Sequence, residues 1–215
     1  MTTASEGSAP NTTPTAAAEE ETAQPATSLP RIAAAIVMSY FSFMIGLMVP
    51  LQLVLTLHLT RLADGGDATG AFGIVTGFGA LVGLIANVIG GRLSDRTTWR
   101  LGRRRSWILI GAGVGALALV AISLTTEVWQ VAIVWCCITS LFNFQLAATS
   151  ALLADQVPQK RQGTVSGLIG LASALGPLAG LSLVNTVQAG SPSQWHLVAI
   201  ATFVLAIVAA ALIRE

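Results

Sequence analysis

The sequence predicts an all-α membrane protein with six transmembrane helices. Three observations lead to this fold class: the chain is unusually apolar, its apolar residues form six long segments, and its basic residues lie between alternate segments. Hydrophobic residues make up 53% of the 215 residues and charged residues only 10%, whereas about 25% of a soluble domain is charged. With a mean hydropathy of +0.73, such a chain cannot cover its apolar surface with charges, and we expect lipid to cover it.

Residues 1–30 differ in composition from the rest of the chain. They are rich in Ala, Thr, Ser, Pro and Glu and contain no bulky apolar cluster. A segment of this kind cannot bury enough apolar surface to offset the entropy that it would lose on ordering. We therefore predict a disordered cytoplasmic tail over residues 1–30 and a six-helix transmembrane bundle over residues 31–215.

The first three apolar segments are separated by clear polar stretches. The first segment is Ile32–Leu59, and it ends before the stretch ADGGDAT at residues 63–69. The second is Ala71–Gly90 and the third is Ser106–Thr125, with an arginine-rich stretch at 92–105 between them. Each is close to the roughly 20 helical residues needed to cross about 30 Å of hydrocarbon. Backbone groups in lipid must be paired within the segment, so each should be a helix.

The last three segments follow one another more closely. The fourth, Val128–Leu153, is separated from the third by a tight turn near Glu127. The fifth, Gly163–Val187, is the least regular because Gly and Ser residues interrupt it. The sixth is His196–Ile213, which follows the polar stretch at 188–194. All three are long enough to cross the hydrocarbon as helices.

The basic residues predict the orientation of the bundle. If both termini are cytoplasmic, ten of the eleven basic residues lie on the cytoplasmic side and only Arg61 lies outside. Cytoplasmic loops of membrane proteins carry an excess of Lys and Arg. We therefore expect a multi-pass protein of the cell membrane with both termini inside. One crossing more or fewer would place basic residues on both sides.

Small residues and a proline recur along the fifth segment. In lipid, small residues let helix backbones approach closely, so tight packing is one interpretation. The other is that the proline bends a helix that moves, because it removes a backbone hydrogen bond and clashes one turn back. Both interpretations stay open. The residues concerned are Gly163, Gly167, Gly176, Pro177 and Gly180.

Uncharged polar side chains within the segments are candidates for contact with a solute. No Asp, Glu, Lys or Arg lies deep within a predicted helix. Hydrogen-bonding groups without charge suit a polyhydroxylated solute such as a sugar, whereas the alternative is that each bonds a neighbouring helix. The candidates are Tyr40, Gln52, Asn87, Asn143 and Gln145.

The stretch between the second and third segments, GRLSDRTTWRLGRRR at 91–105, is the most informative. Orientation and contact with anionic lipid heads would explain its arginines. Neither explains a glycine at the helix end, an acid four residues later and a second glycine before the arginine cluster. The residues singled out here are Gly91, Asp95, Arg96, Gly102, Arg103, Arg104 and Arg105.

These residues resemble the signature between helices two and three of the major facilitator superfamily, Gly-x-x-x-Asp-Arg followed by Gly-Arg-Arg. Four extra residues separate its two parts here, and this long form is similar to the sucrose-type and glycoside–pentoside–hexuronide cation symporters. A second patch, with Asp155 and Arg161, resembles the link between helices four and five of the superfamily.

The resemblance implies a fold of two inverted three-helix repeats and the transport of a small-molecule solute. It implies that this chain is an incomplete N-terminal half, that a second six-helix half lies in the same or another chain, and that a cation, proton or sodium, drives uptake. It also implies that Asp95 pairs at the seam with the other half, and that Arg103, Arg104 or Arg105 pairs with Asp155. Opposite charges at a moving seam would act as a gate between two states.

Other functions remain as alternatives. A non-transporting scaffold or receptor would fit the hydropathy, and so would an exporter of another small molecule. The usual fourth-helix arginine of proton-coupled exporters is missing, and the match to their fifth-helix motif is partial. An intramembrane protease needs a base beside its nucleophile, or metal ligands at helical spacing. Neither HExxH nor GxSG occurs, so we predict no enzyme and no metal site. We also expect no cofactor and no nucleic-acid partner.

Overall fold

A computed structural model of the chain describes residues 28–63, 66–97 and 102–213. Within these residues six helices are long and apolar enough to span a membrane, and no strand occurs. They are α1 (Leu29–Ala63), α2 (Ala68–Arg96), α3 (Arg103–Ile122), α4 (Val128–Gln156), α5 (Gln159–Val184) and α6 (Pro192–Leu212). The predicted all-α fold with six spans is confirmed. Most of the predicted tail, residues 1–27, lies outside the described residues.

Most of the helices extend beyond the apolar segments from which they were predicted. The first begins at Leu29 because Pro30 occupies its first turn, where a missing backbone N–H costs nothing. In α2, the carboxylate of Asp67 caps the helix by accepting the N–H of Gly70 at 2.8 Å. The same helix continues to Arg96, so Gly91 and Asp95 belong to its last turns. Backbone hydrogen bonding does not stop where the apolar residues stop.

Helix α1 contains a π-helical turn at Pro50–Val54 between two α-helical parts, Leu29–Val49 and Leu55–Ala63. Proline lacks an N–H and its ring clashes with the carbonyl one turn back, which widens the helix locally. The N–H of Leu55 consequently bonds the carbonyl of Pro50, five residues earlier.

The six helices form two repeats of three, α1–α3 and α4–α6. Helix α2 packs on α4 as α5 packs on α1, and α3 packs on α4 as α6 packs on α1. The two remaining major contacts join α1 to α4 and α3 to α6, and each of these pairs consists of equivalent helices from the two repeats. Replacing each helix by the one three places later therefore leaves this pattern unchanged. Because each repeat crosses an odd number of times, the second runs in the opposite direction, as predicted.

Helix packing depends on glycines at the closest approaches. A Cβ at Gly111 of α3 would lie 2.7 Å from the backbone carbonyl oxygen of Leu141 in α4. At Gly79 of α2, a Cβ would lie 2.6 Å from the indole ring of the buried Trp135. Any larger residue would push these helices apart.

Helices α2 and α5 present the most open faces of the bundle. Large apolar side chains such as Phe78 and Leu84 on α2, and Leu171 and Leu178 on α5, are more than half exposed. A Cβ at Gly73 and several other glycines of these two helices would meet nothing within 4 Å. These faces are therefore free to contact lipid or further helices.

Candidate functional site

A cluster of charged side chains joins α2, α3 and α4 at the arginine-rich end of the bundle. We call it the ion cluster; it consists of Ser94 and Asp95 from α2, Arg103 and Arg104 from α3, and Asp155 from α4. Arg104 lies at its centre, because its side chain is only 6% exposed and reaches both acids. Three helices are thus held together by one guanidinium.

The geometry of Arg104 satisfies its donors in three directions. Nη1 lies 2.7 Å from Oδ1 of Asp95 and donates to Oγ of Ser94 at 3.0 Å. Nη2 and Nε donate to Oδ2 of Asp155 at 2.9 and 3.1 Å. A buried arginine is stable only when charges and hydrogen bonds compensate its lost hydration, and here two carboxylates do so. Arg103, which is 46% exposed, adds a 3.1 Å contact to Asp155.

The start of α3 places Arg104 in this position. Gly102, the residue before α3, has a φ of 96°, a left-handed conformation that favours glycine over residues with a Cβ. Its carbonyl accepts the hydroxyl of Ser106 at 2.7 Å, which closes the first turn. The glycine before the arginine cluster therefore has a conformational role.

The structure brings together only part of the predicted charge set. Asp95 pairs with Arg104 of the same bundle, and its expected contact with another half stays a prediction. Arg96 and Arg161 are exposed, at the end of α2 and the start of α5. Arg105 is half-buried, and a Cβ on Gly91 would meet nothing within 4 Å.

Ser94 was not among the predicted residues. It is fully buried beside Arg104, but in the sequence it is an ordinary small residue between Leu93 and Asp95. The sequence offers one signal for it: Ser94 lies one residue before Asp95, in the part of α2 that extends past the apolar segment.

The glycines of α5 divide between two faces of the helix. Gly176 and Gly180 face α1: a Cβ at Gly176 would lie 2.8 Å from Cβ of Met44, and one at Gly180 would overlap Val49. Gly163 and Gly167 face outward, with nothing within 4 Å of a Cβ. Pro177 lies inside the helix between the two packing glycines.

The family comparison adds a decisive observation to this geometry. The model of the Major Facilitator Superfamily matches residues 26–214, which includes all six helices. The chain belongs to the major facilitator superfamily. It is accordingly a multi-pass membrane protein and a solute transporter, and major facilitator proteins are in general not enzymes. The chain matches no curated protein sequence.

A cleft of about 230 Å³ lies between α1, α2 and α4 of this major facilitator bundle. Met48 and Leu51 of α1 and the two glycines Gly79 and Gly83 of α2 form part of its wall. Its polar lining residues are Thr76, Thr139 and Asn143, and none of the described residues that line it is charged. The cleft can therefore offer hydrogen bonds to an uncharged solute.

The predicted solute-facing residues have different surroundings. Asn143 lines the cleft, and its side-chain amide donates to the backbone carbonyl of Thr139 at 2.7 Å. This hydrogen bond fixes the orientation of the amide group, including its Oδ1. Gln52 is exposed in the π-helical turn, next to the cleft residue Leu51. Asn87 is half-exposed on α2, and Tyr40 is half-exposed on α1.

Gln145 differs from the expectation that it faces a solute. It is fully buried, and its amide donates to the backbone carbonyl of Ser39 in α1 at 3.1 Å. Ser39 and Thr149 share a further hydroxyl bond at 2.6 Å across the same interface. The alternative interpretation, a bond between helices, therefore applies to Gln145.

Proposed function

We propose that this chain is one six-helix half of a secondary active transporter that takes up a polar, uncharged, sugar-like solute across the cell membrane. The single observation that carries the substrate class is the cleft between α1, α2 and α4, whose polar lining is uncharged. Similarity of the 91–105 stretch to the sucrose-type and glycoside–pentoside–hexuronide symporters supports the same class.

The cleft suits a hydroxylated solute for a physical reason. Side chains that hydrogen-bond without charge replace the water around hydroxyl groups, whereas a charged solute would need a compensating charge in lipid surroundings. Asn143, Thr139 and Thr76 can act in this way at the cleft surface. Gln52, exposed in the π-helical turn of α1 next to the cleft residue Leu51, adds a further uncharged polar side chain near this surface.

The ion cluster supports a gate at the arginine-rich end. Arg104 holds one side of Asp95, yet the Asp95 side chain remains 60% exposed and can accept a further bond from a second half. A contact of that kind forms when this end closes and separates when it opens. At such exposure it is worth about 1 kcal/mol, enough to bias two states without locking either.

The open faces of α2 and α5 support a second six-helix half as partner. Each face combines exposed Leu or Phe side chains with glycines that no other residue covers. Glycines on a lipid-exposed face allow close approach of another helix.

No described residue lining the cleft can bind a coupling cation through a carboxylate, so we assign the proton or sodium site to the second half.

The solute class can be tested by binding to purified protein. Sucrose and maltose should raise its melting temperature in detergent, whereas the charged sugars glucuronate and glucosamine should not. Asn143→Ala should weaken binding about fivefold to tenfold, the value of one hydrogen bond. The matched control is Asn185→Ala, at the exposed C-cap of α5 away from the cleft. Stabilisation by the charged sugars alone, or equal effects of both variants, would contradict the proposal.

A further inference from the structure

A groove with a volume of about 500 Å³ runs along the junction of α3 and α6. From α3 it is lined by Leu109, Gly113 and Val120, among others, and from α6 by Ile200 and Phe203. The lining residues are all apolar. This groove is separate from the cleft between α1, α2 and α4 and shares no residue with it.

The dimensions of the groove suit an extended hydrocarbon chain. Its lining along α3, from Leu109 to Val120, spans about 16 Å at 1.5 Å per residue. A Cβ on Gly113 would lie 3.3 Å from the ring of Phe203, so a larger residue at this position would crowd the groove. Val114 and Ile200, on its rim, are largely exposed and would face the bilayer.

Arg105 lies at the arginine-rich end of α3, four residues before the first groove-lining residue, Leu109. Four residues span about 6 Å along the helix and turn it about 40° past a full turn, so Arg105 lies near the groove side of α3. Its Nε is buried and has no hydrogen-bond partner within residues 28–63, 66–97 and 102–213. Its neighbours Arg103 and Arg104 instead bond Asp155. A buried donor without an acceptor costs free energy. The side chain as a whole is only half-buried, so its charge can still attract an anionic group at the surface.

A second basic residue, Arg31 of α1, lies beside the end of α6. Arg31 donates through Nε to the carbonyl of Leu212 at 2.8 Å and through Nη2 to that of Ala211 at 3.1 Å. Its charge is therefore fixed beside the last turn of α6. Arg31 belongs to α1 and adds a second positive charge beside the end of α6, beyond the last groove-lining residue of that helix, Phe203, while Asp95 and Asp155 are engaged by the ion cluster.

We propose that the groove binds one anionic phospholipid, with its phosphate on Arg105 and one acyl chain along α3 and α6. A phosphate offers the oxygen acceptors that a guanidinium binds best, and basic pockets between transmembrane helices bind anionic head groups. A zwitterionic lipid is a poorer occupant because its own cation offsets the phosphate charge beside Arg31 and Arg105. This inference does not depend on the identity of the transported solute.

Native mass spectrometry of the detergent-purified chain tests the head-group contact. The lipid probe is dioleoylphosphatidylglycerol, with dioleoylphosphatidylcholine and inorganic phosphate as comparison ligands. Arg105→Gln should lower the affinity for phosphatidylglycerol about fivefold. Arg92→Gln is the matched control, since Arg92 is exposed on α2 at the same end and away from the groove. Equal losses in both variants would show diffuse attraction and overturn the site.

A second pair of variants tests the acyl chain. Ile200→Trp fills the groove from an exposed position and should also weaken phosphatidylglycerol binding, whereas Ile207→Trp, exposed on α6 outside the lining, should not. Unchanged binding by Ile200→Trp, or displacement of the lipid by millimolar inorganic phosphate, would overturn the proposed occupant. Preferred binding of phosphatidylcholine would overturn the assignment of an anionic head group.

Discussion

Three consecutive arginines at the start of α3 have three different environments. Arg103 is half-exposed and contacts Asp155, Arg104 is buried at the centre of the ion cluster, and Arg105 is half-buried with an unbonded Nε. Successive residues of an α-helix point about 100° apart, since 3.6 residues make a turn. The helix that begins after Gly102 therefore places three identical side chains in an exposed, a buried and a half-buried position.

The central position of Arg104 predicts an unequal response to charge removal. Arg104→Gln should lower the free energy of unfolding by about 2 kcal/mol, because it leaves Asp95, Ser94 and Asp155 without their shared donor. Arg103→Gln, at an exposed position on the same acid, should cost less than about 1 kcal/mol. Reversible denaturation in mixed micelles measures both values. Losses of equal size would contradict the central role of Arg104.

The sequence predicted that one of these arginines pairs with Asp155 and could not decide which. The choice depends on where α3 begins, and a left-handed Gly102 sets that beginning. The partner of Asp95 was unpredictable for a related reason. Helix α2 continues past its apolar segment, so Asp95 reaches Arg104 within the bundle. Its carboxylate is therefore paired but remains 60% exposed.

At the level of helices, α5 shows how one small-residue pattern serves two faces. The number and apolar extent of the helices were predictable, because lipid demands about 20 apolar residues per crossing. The division of glycines was not, because hydropathy does not record which neighbour a face meets. Gly176 and Gly180 contact α1, whereas Gly163 and Gly167 stay uncovered. The π-helical turn at Pro50 likewise leaves no mark in the hydropathy of the segment.

These two faces predict unequal effects of the same substitution. Gly180→Leu should destabilise the chain by about 1–3 kcal/mol, because its side chain would overlap Val49 and crowd Ile45. Gly163→Leu should change stability by less than about 0.5 kcal/mol, because nothing lies within 4 Å of that position. Thermal unfolding in detergent distinguishes them, and a large loss for Gly163→Leu would show that its face is covered.

For the molecule as a whole, the inverted repeats place related contacts at opposite ends. Asp155, near the end of α4, binds the start of α3. Arg61, near the end of α1, binds the carbonyls of Ala189 and Gly190 in the loop before α6. Exchanging the repeats relates these two contacts, but only the first joins opposite charges. The bundle is therefore asymmetric in charge although it is symmetric in packing.

This asymmetry predicts how the molecule lies in the membrane. Positive charge is retained on the cytoplasmic side, so the ion cluster and the start of α5 should face the cytoplasm and the start of α6 the outside. With Cys136 and Cys137 replaced by serine, a membrane-impermeant maleimide should label Ser193→Cys in intact cells. Lys160→Cys, also at an exposed position but at the start of α5, should react only after permeabilisation. Labelling of Lys160→Cys in intact cells would reverse the orientation, and with it the assignment of the ion cluster to a cytoplasmic gate.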